Sequence, residues 1–183
     1  MLVGVIIAII AVVLLLGLAA VGRSNQRKRS LRRSFGPEYE TVAQAHDSKQ
    51  DVDRELLRRK RLHEQLNLHA ISTNDQEYFA TSWDHVQGEF LDDPAVALRS
   101  AGRLVTRLLD ARGYPGDDPG ERLALLSVNH ANVLADYRRA QWMSEHTLRA
   151  SAPVPTEELR QALLSYHALS NALMAEPGAL ATR

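Results

Sequence analysis

Histidine and acidic side chains are the first candidates for catalysis or metal binding in this chain. The best metal-ligand spacing belongs to His85 and Glu89, which lie four residues apart and would share one face of a helix. A di-iron bundle requires inward Glu-x-x-His pairs on two helices, but no Asp or Glu here has a histidine three positions later. One pair offers too few ligands for a metal. We therefore interpret His85 and Glu89 as a hydrogen-bonded surface pair and predict no metal and no cofactor.

A serine, an asparagine and a histidine follow one another closely at Ser127, Asn129 and His130. Such residues could support nucleophilic chemistry, but no glycine-framed nucleophile or oxyanion donor accompanies them. Serine and asparagine are typical of places where helices end and begin, so we interpret this segment as helix capping. The chain shows no other catalytic signature, and we expect that it is not an enzyme.

The acidic loop at Asp117 and Asp118 is a possible calcium site. A calcium-binding loop needs ligands at alternating positions, an inner glycine and a closing bidentate glutamate, and the loop lacks this pattern. Capping and a solvated turn explain the two carboxylates better. The chain also has no cysteine, which excludes disulfides, thiolate metal sites and cysteine nucleophiles.

The charge of the chain is divided unevenly along its length. The first 33 residues carry six cations and no anion, whereas the remaining 150 carry 16 basic and 22 acidic residues and hence a formal charge of −6. Contacts with phosphate backbones supply most of the affinity of nucleic-acid-binding proteins. An acidic domain lacks that source of affinity, so we expect no nucleic-acid partner.

The apolar segment at the N-terminus predicts a membrane anchor, which would determine where all the residues above are located. The run from Leu2 to Val21 has no charge and no proline, and as a helix it would cover roughly 30 Å, the thickness of the hydrocarbon core. It starts directly after Met1 and is longer than the apolar core of a signal peptide. We predict an uncleaved transmembrane helix over residues 1–22, with secretion after signal cleavage as the alternative.

A basic cluster follows the anchor and predicts its orientation. Because loops rich in Lys and Arg stay in the cytoplasm, we expect the N-terminus outside and the rest of the chain in the cytoplasm, as a single-pass membrane protein. The cluster could also contact anionic lipid headgroups. Its members are Arg23, Arg27, Lys28, Arg29, Arg32 and Arg33.

The rest of the chain predicts an all-α fold, because no segment alternates with period two over the length of a strand. Asp93-Pro94 predicts a helix start, and Gly113 followed by Pro115 predicts a helix end. Thr73 and Gln76 have the spacing of a capping box. The predicted division is a basic juxtamembrane segment (23–37), a long charged helix (38–69), a small antiparallel bundle (70–176) and a tail (177–183).

An aromatic stripe marks one of the predicted bundle helices. Phe79, Trp83, Val86 and Phe90 recur at spacings of four, three and four residues, which places them on one helical face. Aromatic side chains dominate buried area in small domains, so this face indicates a core. A ligand-binding surface formed by Phe79, Trp83 and Phe90 is the second interpretation.

Several short motifs together resemble an uncharacterised family of short bacterial proteins, chiefly actinobacterial, that are labelled only as membrane or secreted proteins. The matching segments are Ser34-Phe35-Gly36-Pro37-Glu38-Tyr39, Trp83 with Val86-Gln87 and Phe90, Asp92-Asp93-Pro94, Arg112-Gly113-Tyr114-Pro115, Ser127-Val128-Asn129-His130 and Tyr137-Arg138. The resemblance implies a helical domain tethered at its N-terminus. It implies no activity.

The sequence therefore favours a membrane-tethered helical module for interaction or scaffolding, with a protein partner. The alternative is a small-ligand sensor whose aromatic residues line a pocket between helices. An uncharacterised enzyme is the third hypothesis.

Overall fold

The structure, a computed structural model, describes residues 30–149 and 153–176. Residues 30–35 are helical, and no strand occurs in the described ranges, which confirms the all-α prediction. Seven helices lie wholly within these ranges: α1 (Pro37–Gln44), α2 (Lys49–Glu64), α3 (Thr73–Asp92), α4 (Pro94–Arg112), α5 (Pro119–Leu126), α6 (Ala131–Arg149) and α7 (Thr156–Ala175).

Four long helices, α3, α4, α6 and α7, form a bundle, and α4 packs against each of the other three. Helices α1 and α2 pack on each other beside it, with α1 against α6 and α2 against α5. Among the helices of the described ranges, none has both the length and the hydropathy needed to cross a bilayer. The predicted anchor (1–22) and the predicted tail (177–183) lie outside the described residues.

The two helix boundaries predicted from turn residues are confirmed. The Asp93 carboxylate accepts hydrogen bonds from the backbone N–H groups of Ala95 and Val96, both at 3.0 Å, and so caps α4. At the other end of α4, Gly113 has a φ of 90°, the left-handed conformation that residues with a Cβ rarely adopt.

The N-cap of α3 is Ser72, one residue earlier than predicted. The Ser72 hydroxyl accepts from the backbone N–H of Asp75 at 3.1 Å and donates to the Asp75 carboxylate at 2.6 Å. Gln76 instead donates to the carbonyl of Ile71. The prediction for Thr73 and Gln76 is therefore wrong, because both sets of residues have the required spacing and only the backbone conformation at Ser72 distinguishes them.

The prediction of one long helix over residues 38–69 is wrong. Helix α1 ends at Gln44, and Ser48 caps α2 by accepting from the backbone N–H of Asp51. The break lets the chain fold back, so that Val42 and Val52 enter the same apolar cluster. A continuous helix would hold these two residues about 15 Å apart. Burial in tertiary contacts thus overrides the local helix preference.

Two apolar clusters hold the domain together. The main core lies among the bundle helices, where Leu98, Val105, Leu108, Leu134 and Leu169 are fully buried. The second cluster joins the segment before α1 to α1 and α2, and its members are Leu31, Phe35, Tyr39, Val42, Val52 and Leu56. The chain is therefore folded from Leu31 onward, within the segment predicted as juxtamembrane.

Candidate functional site

The basic cluster is only partly within the described residues. Arg23, Arg27, Lys28 and Arg29 lie outside them. Arg32 is exposed, with its guanidinium 4.7 Å from the centre of the Tyr39 ring and 3.6 Å from the Glu40 carboxylate. Arg33 is exposed as well. Leu31 and Phe35 on either side of these two arginines are buried, so the last part of the basic cluster lies on the surface of the folded domain.

The aromatic residues of the α3 stripe belong to the core. Phe79 and Trp83 are each only 3% exposed, and Phe90 is partly buried against the same core. The indole N–H of Trp83 donates to the buried hydroxyl of Ser170 on α7 at 2.9 Å. This placement matches the core interpretation, because the indole is already enclosed and hydrogen-bonded.

The neighbouring face of α3 carries polar residues instead. His85 and Glu89 line a groove of about 610 Å³ between α3 and α4. No hydrogen bond joins these two side chains in the described structure, so the prediction of a hydrogen-bonded pair is wrong. Within the described ranges, no three His, Cys, Asp or Glu side chains are grouped as a metal site would require.

A buried carboxylate, Glu38, joins α1 to the bundle. Its side chain is 3% exposed, and Arg138 of α6 donates one hydrogen bond to each carboxylate oxygen, both at 2.7 Å. Arg59 of α2 adds a third contact at 3.4 Å. Arginine and carboxylate match geometrically in such bidentate pairs. Glu38 thus fixes the position of α1 against α2 and α6, and we call Glu38, Arg59 and Arg138 the ionic clamp.

The ionic clamp extends to α5 through Arg59. This guanidinium also donates to Glu55 at 2.8 Å and to the Ser127 hydroxyl at 3.3 Å. Hydrogen bonds from Arg58 and, to a smaller extent, from Arg59 together lower the pKa of Glu55 to about 2, despite the opposing effect of burial. The extended network therefore holds the α1–α2 pair against α5 and α6 with charge-assisted hydrogen bonds.

A second carboxylate, Glu176, gathers donors at the end of α7. It accepts from Asn129 at 2.6 Å, from Arg112 at 3.0 Å and from Tyr114 at 3.4 Å, and the His130 ring nitrogen lies 3.2 Å away. Burial alone would raise its pKa, but the hydrogen bonds from His130, Asn129 and Arg112 outweigh that effect and lower the pKa to about 2. Glu176 therefore stays ionised at neutral pH.

The predicted capping role of the segment from Ser127 to His130 is confirmed for Ser127, which ends α5 and donates its hydroxyl to the Ala124 carbonyl, but the segment also takes part in these two networks. Ser127 belongs to the network of the ionic clamp, whereas Asn129 and His130 bind Glu176. The capping interpretation is therefore wrong for Asn129, whose amide contacts Glu176. Sequence reasoning missed Glu38 and Glu176 because their partners lie up to 100 positions away.

A third polar feature is a groove of about 520 Å³ bounded by α4, α6 and α7. Arg99, Arg103 and Arg107 of α4 lie four residues apart and line it together. Arg107 donates to the Tyr78 hydroxyl at 2.7 Å and Arg103 to the Ser100 hydroxyl at 3.0 Å. No described carboxylate lies within ion-pair distance of these arginines, and we call the groove the arginine groove.

The other side of the arginine groove is formed by polar groups of α6 and α7. Tyr137 and Tyr166 meet edge to face at 5.7 Å, and Gln141 donates to the Tyr137 hydroxyl at 3.0 Å. Burial raises the pKa of Tyr137 to about 12 and raises that of Tyr166 as well. Both phenols therefore remain protonated at neutral pH and can donate hydrogen bonds.

Comparison with known protein families, with curated proteins and with solved structures finds no match for this chain.

Proposed function

We propose that this chain is a membrane-tethered helical module that binds or positions a protein partner at the membrane surface. The observation that carries this proposal is the continuity between the N-terminal segment and the folded domain. Phe35 is fully buried, and three residues later Glu38 is held by the ionic clamp. The chain after the predicted anchor is thus packed into the folded domain from Leu31, nine residues beyond residue 22.

This continuity limits how far the domain can lie from the lipid. Seven residues, 23–29, separate the predicted anchor from the first described residue, and they span at most about 25 Å when fully extended. The bundle would therefore remain close to the headgroups. The ionic clamp would also hold α1, through which the tether enters the domain, in a fixed position on the bundle. Both effects suit a scaffold, which must present one surface consistently.

The surface feature that supports a protein partner is Trp142 on α6. Its side chain is 58% exposed and is stacked on His146, with ring centres 4.7 Å apart and planes inclined by 9°. Exposed tryptophans frequently contribute a large share of the binding energy at protein interfaces. Stacking on His146 holds the indole in one orientation, which reduces the entropy lost on binding.

The two other hypotheses have weaker geometric support. A sensor pocket lined by Phe79, Trp83 and Phe90 would require side chains that are packed in the core to turn outward. An enzyme would require a nucleophile or acid–base pair in a cleft, but in the described ranges Ser127 and His130 belong to different networks. We therefore propose binding as the role of the chain.

The test combines a topology measurement with proximity labelling in intact cells. With a tag at the C-terminus, we expect that membrane-impermeant reagents fail to label the tag until the cells are opened. Labelling of intact cells, or a mature chain that begins beyond residue 22, would contradict the proposed topology.

For the partner, we expect Trp142→Ala to remove the specifically labelled proteins and Leu91→Ala to retain them. Leu91 is a matched control, since it is an exposed apolar residue elsewhere in the bundle, at 85% exposure. Identical labelling by the wild type, Trp142→Ala and a labelling enzyme fused to the predicted anchor alone would contradict the proposed interaction.

A further inference from the structure

The arginine groove combines uncompensated positive charge with hydrogen-bond donors from three helices. We propose that it binds a phosphate group, carried either by a small phosphate ester or by an anionic phospholipid. This inference does not rest on the proposed tethering, since a soluble phosphate ester could reach the groove without a membrane.

The charge of the groove is the first argument. Three arginines and one carboxylate, Glu145, line it. The domain as a whole is acidic, with 16 basic and 22 acidic residues after position 33. Most arginines in an acidic domain can find a carboxylate, as Arg59 and Arg138 do in the ionic clamp. A row of arginines without ion pairs therefore marks a place where an anion would be stabilised.

The available donors are the second argument. A guanidinium carries five N–H donors, so Arg103 and Arg107 keep most of theirs after each donates one bond to a neutral hydroxyl. Arginine binds phosphate oxygens in a bidentate manner. The side chains of Gln141, Ser144 and the two tyrosines line the same space, and the N–H and O–H groups that they do not use among themselves would contact a second side of the ligand.

The shape of the groove is the third argument. Gly102 lies on α4 between the arginines, and a Cβ at this position would come within 3.2 Å of the Tyr166 hydroxyl. The glycine leaves room for that hydroxyl beside α4, where Tyr166 lines the groove although it is only 3% exposed. The volume of the arginine groove, about 520 Å³, exceeds that of a lone phosphate, which favours a phosphate that is esterified to a larger group.

The two neighbouring grooves have less positive charge. The groove between α6 and α7 is lined by Asp136, Glu158 and one cation, Arg139. The groove between α3 and α4 shares Arg103 and Arg107 but also contains Glu89. A phosphate, with its double negative charge, therefore fits the arginine groove best.

Binding is measured by calorimetry with the full chain in micelles of an uncharged detergent. The soluble probes are inorganic phosphate and glycerol 3-phosphate, and the lipid probes are micelles doped with phosphatidic acid or with phosphatidylcholine. We expect phosphatidic acid, a soluble phosphate or both to bind, which identifies the source, and phosphatidylcholine not to bind. Failure of every phosphate probe to bind would overturn the proposal.

The arginines are replaced together, in Arg99→Gln, Arg103→Gln and Arg107→Gln. We expect the dissociation constant to rise at least about tenfold. The matched control removes the same charge from the exposed surface of α2 through Lys49→Gln, Lys60→Gln and Arg61→Gln, and we expect it to change affinity less than about twofold. An equal loss in both triple variants would show general attraction to a basic surface and would refute a specific site.

Two single substitutions keep the proposal testable if the triple variant fails to fold. Glu145→Gln removes the only acidic side chain that lines the groove in the described structure, and we expect it to tighten binding about threefold. Gly102→Ala changes no charge but narrows the approach to the Tyr166 hydroxyl, and we expect it to weaken binding about threefold. Unchanged affinity in both variants would contradict a ligand in this groove.

Discussion

Replacing Glu38 with glutamine tests whether the ionic clamp holds α1 and α2 on the bundle. Glu38→Gln keeps the shape of the side chain but replaces one carboxylate oxygen with an amide that faces a guanidinium. In the wild type, Arg138 donates to both oxygens at 2.7 Å and Arg59 approaches one of them at 3.4 Å. The substitution therefore removes one strong hydrogen bond and the negative charge opposite Arg138, whereas Arg59 keeps its ion pair with Glu55 at 2.8 Å.

The expected loss is about 3 kcal/mol, between the value of one charge-assisted hydrogen bond and that of a fully buried pair. Glu38 is 3% exposed, but Arg138 is 32% exposed and can regain contact with water, which keeps the loss below the roughly 5 kcal/mol upper limit. The free energy of unfolding should fall by this amount if α1 and α2 unfold together with the bundle. Local opening of α1 and α2 would confine the effect to these helices.

Hydrogen exchange on the full chain detects the loss in both cases, since protection at α1 and α2 should fall about a hundredfold, and it distinguishes them because protection in the bundle core falls only if all helices unfold together. Urea unfolding followed by tryptophan fluorescence reports on the bundle, because Trp83 is buried there. Glu40→Gln is the matched control on the same helix: its side chain is 66% exposed and 3.6 Å from Arg32, so we expect a change below about 0.5 kcal/mol. If the two variants behave alike in both measurements, the clamp does not stabilise α1 and α2.

Three further predictions concern the bundle. Ser170→Ala should cost about 1–3 kcal/mol in urea unfolding, because it leaves a buried indole N–H unpaired, whereas Ser165→Ala on the same helix should be nearly neutral. The lowering of the Glu176 pKa from 4.5 to about 2 should contribute at most about 3 kcal/mol to the free energy of unfolding. This contribution is present above pH 4.5 and is lost as the pH falls through 2, so the Glu176→Gln variant should lose less stability than the wild type over that range. Gly113→Ala should lower the melting temperature, since φ is 90° at this position and the new Cβ would lie 2.8 Å from a backbone oxygen. In contrast, the Cβ of Gly88→Ala in α3 would meet nothing within 4 Å, and this substitution should stabilise the helix by up to about 1 kcal/mol. A larger loss for Ser165→Ala than for Ser170→Ala would contradict the first prediction, and a higher melting temperature for Gly113→Ala together with a lower one for Gly88→Ala would contradict the third. An unchanged loss of stability at acidic pH in Glu176→Gln would contradict the second.

The sequence by itself determined the helical class and the features that depend on near neighbours. Asp93 caps α4 and Gly113 ends it because both act on backbone groups within a few residues. The aromatic stripe that includes Phe79 and Trp83 indicates a buried face, since the spacing of residues in a helix is fixed. Such local geometry is available from one sequence.

Only the tertiary structure decided the features that depend on distant partners. The break between α1 and α2 exists because folding back buries Val42 and Val52 in one cluster, a gain that no local pattern reports. Glu38 meets Arg138 across 100 positions, and Glu176 meets Arg112 across 64. In the sequence each of these residues is only another charged side chain, because burial and pairing are properties of the packed helices.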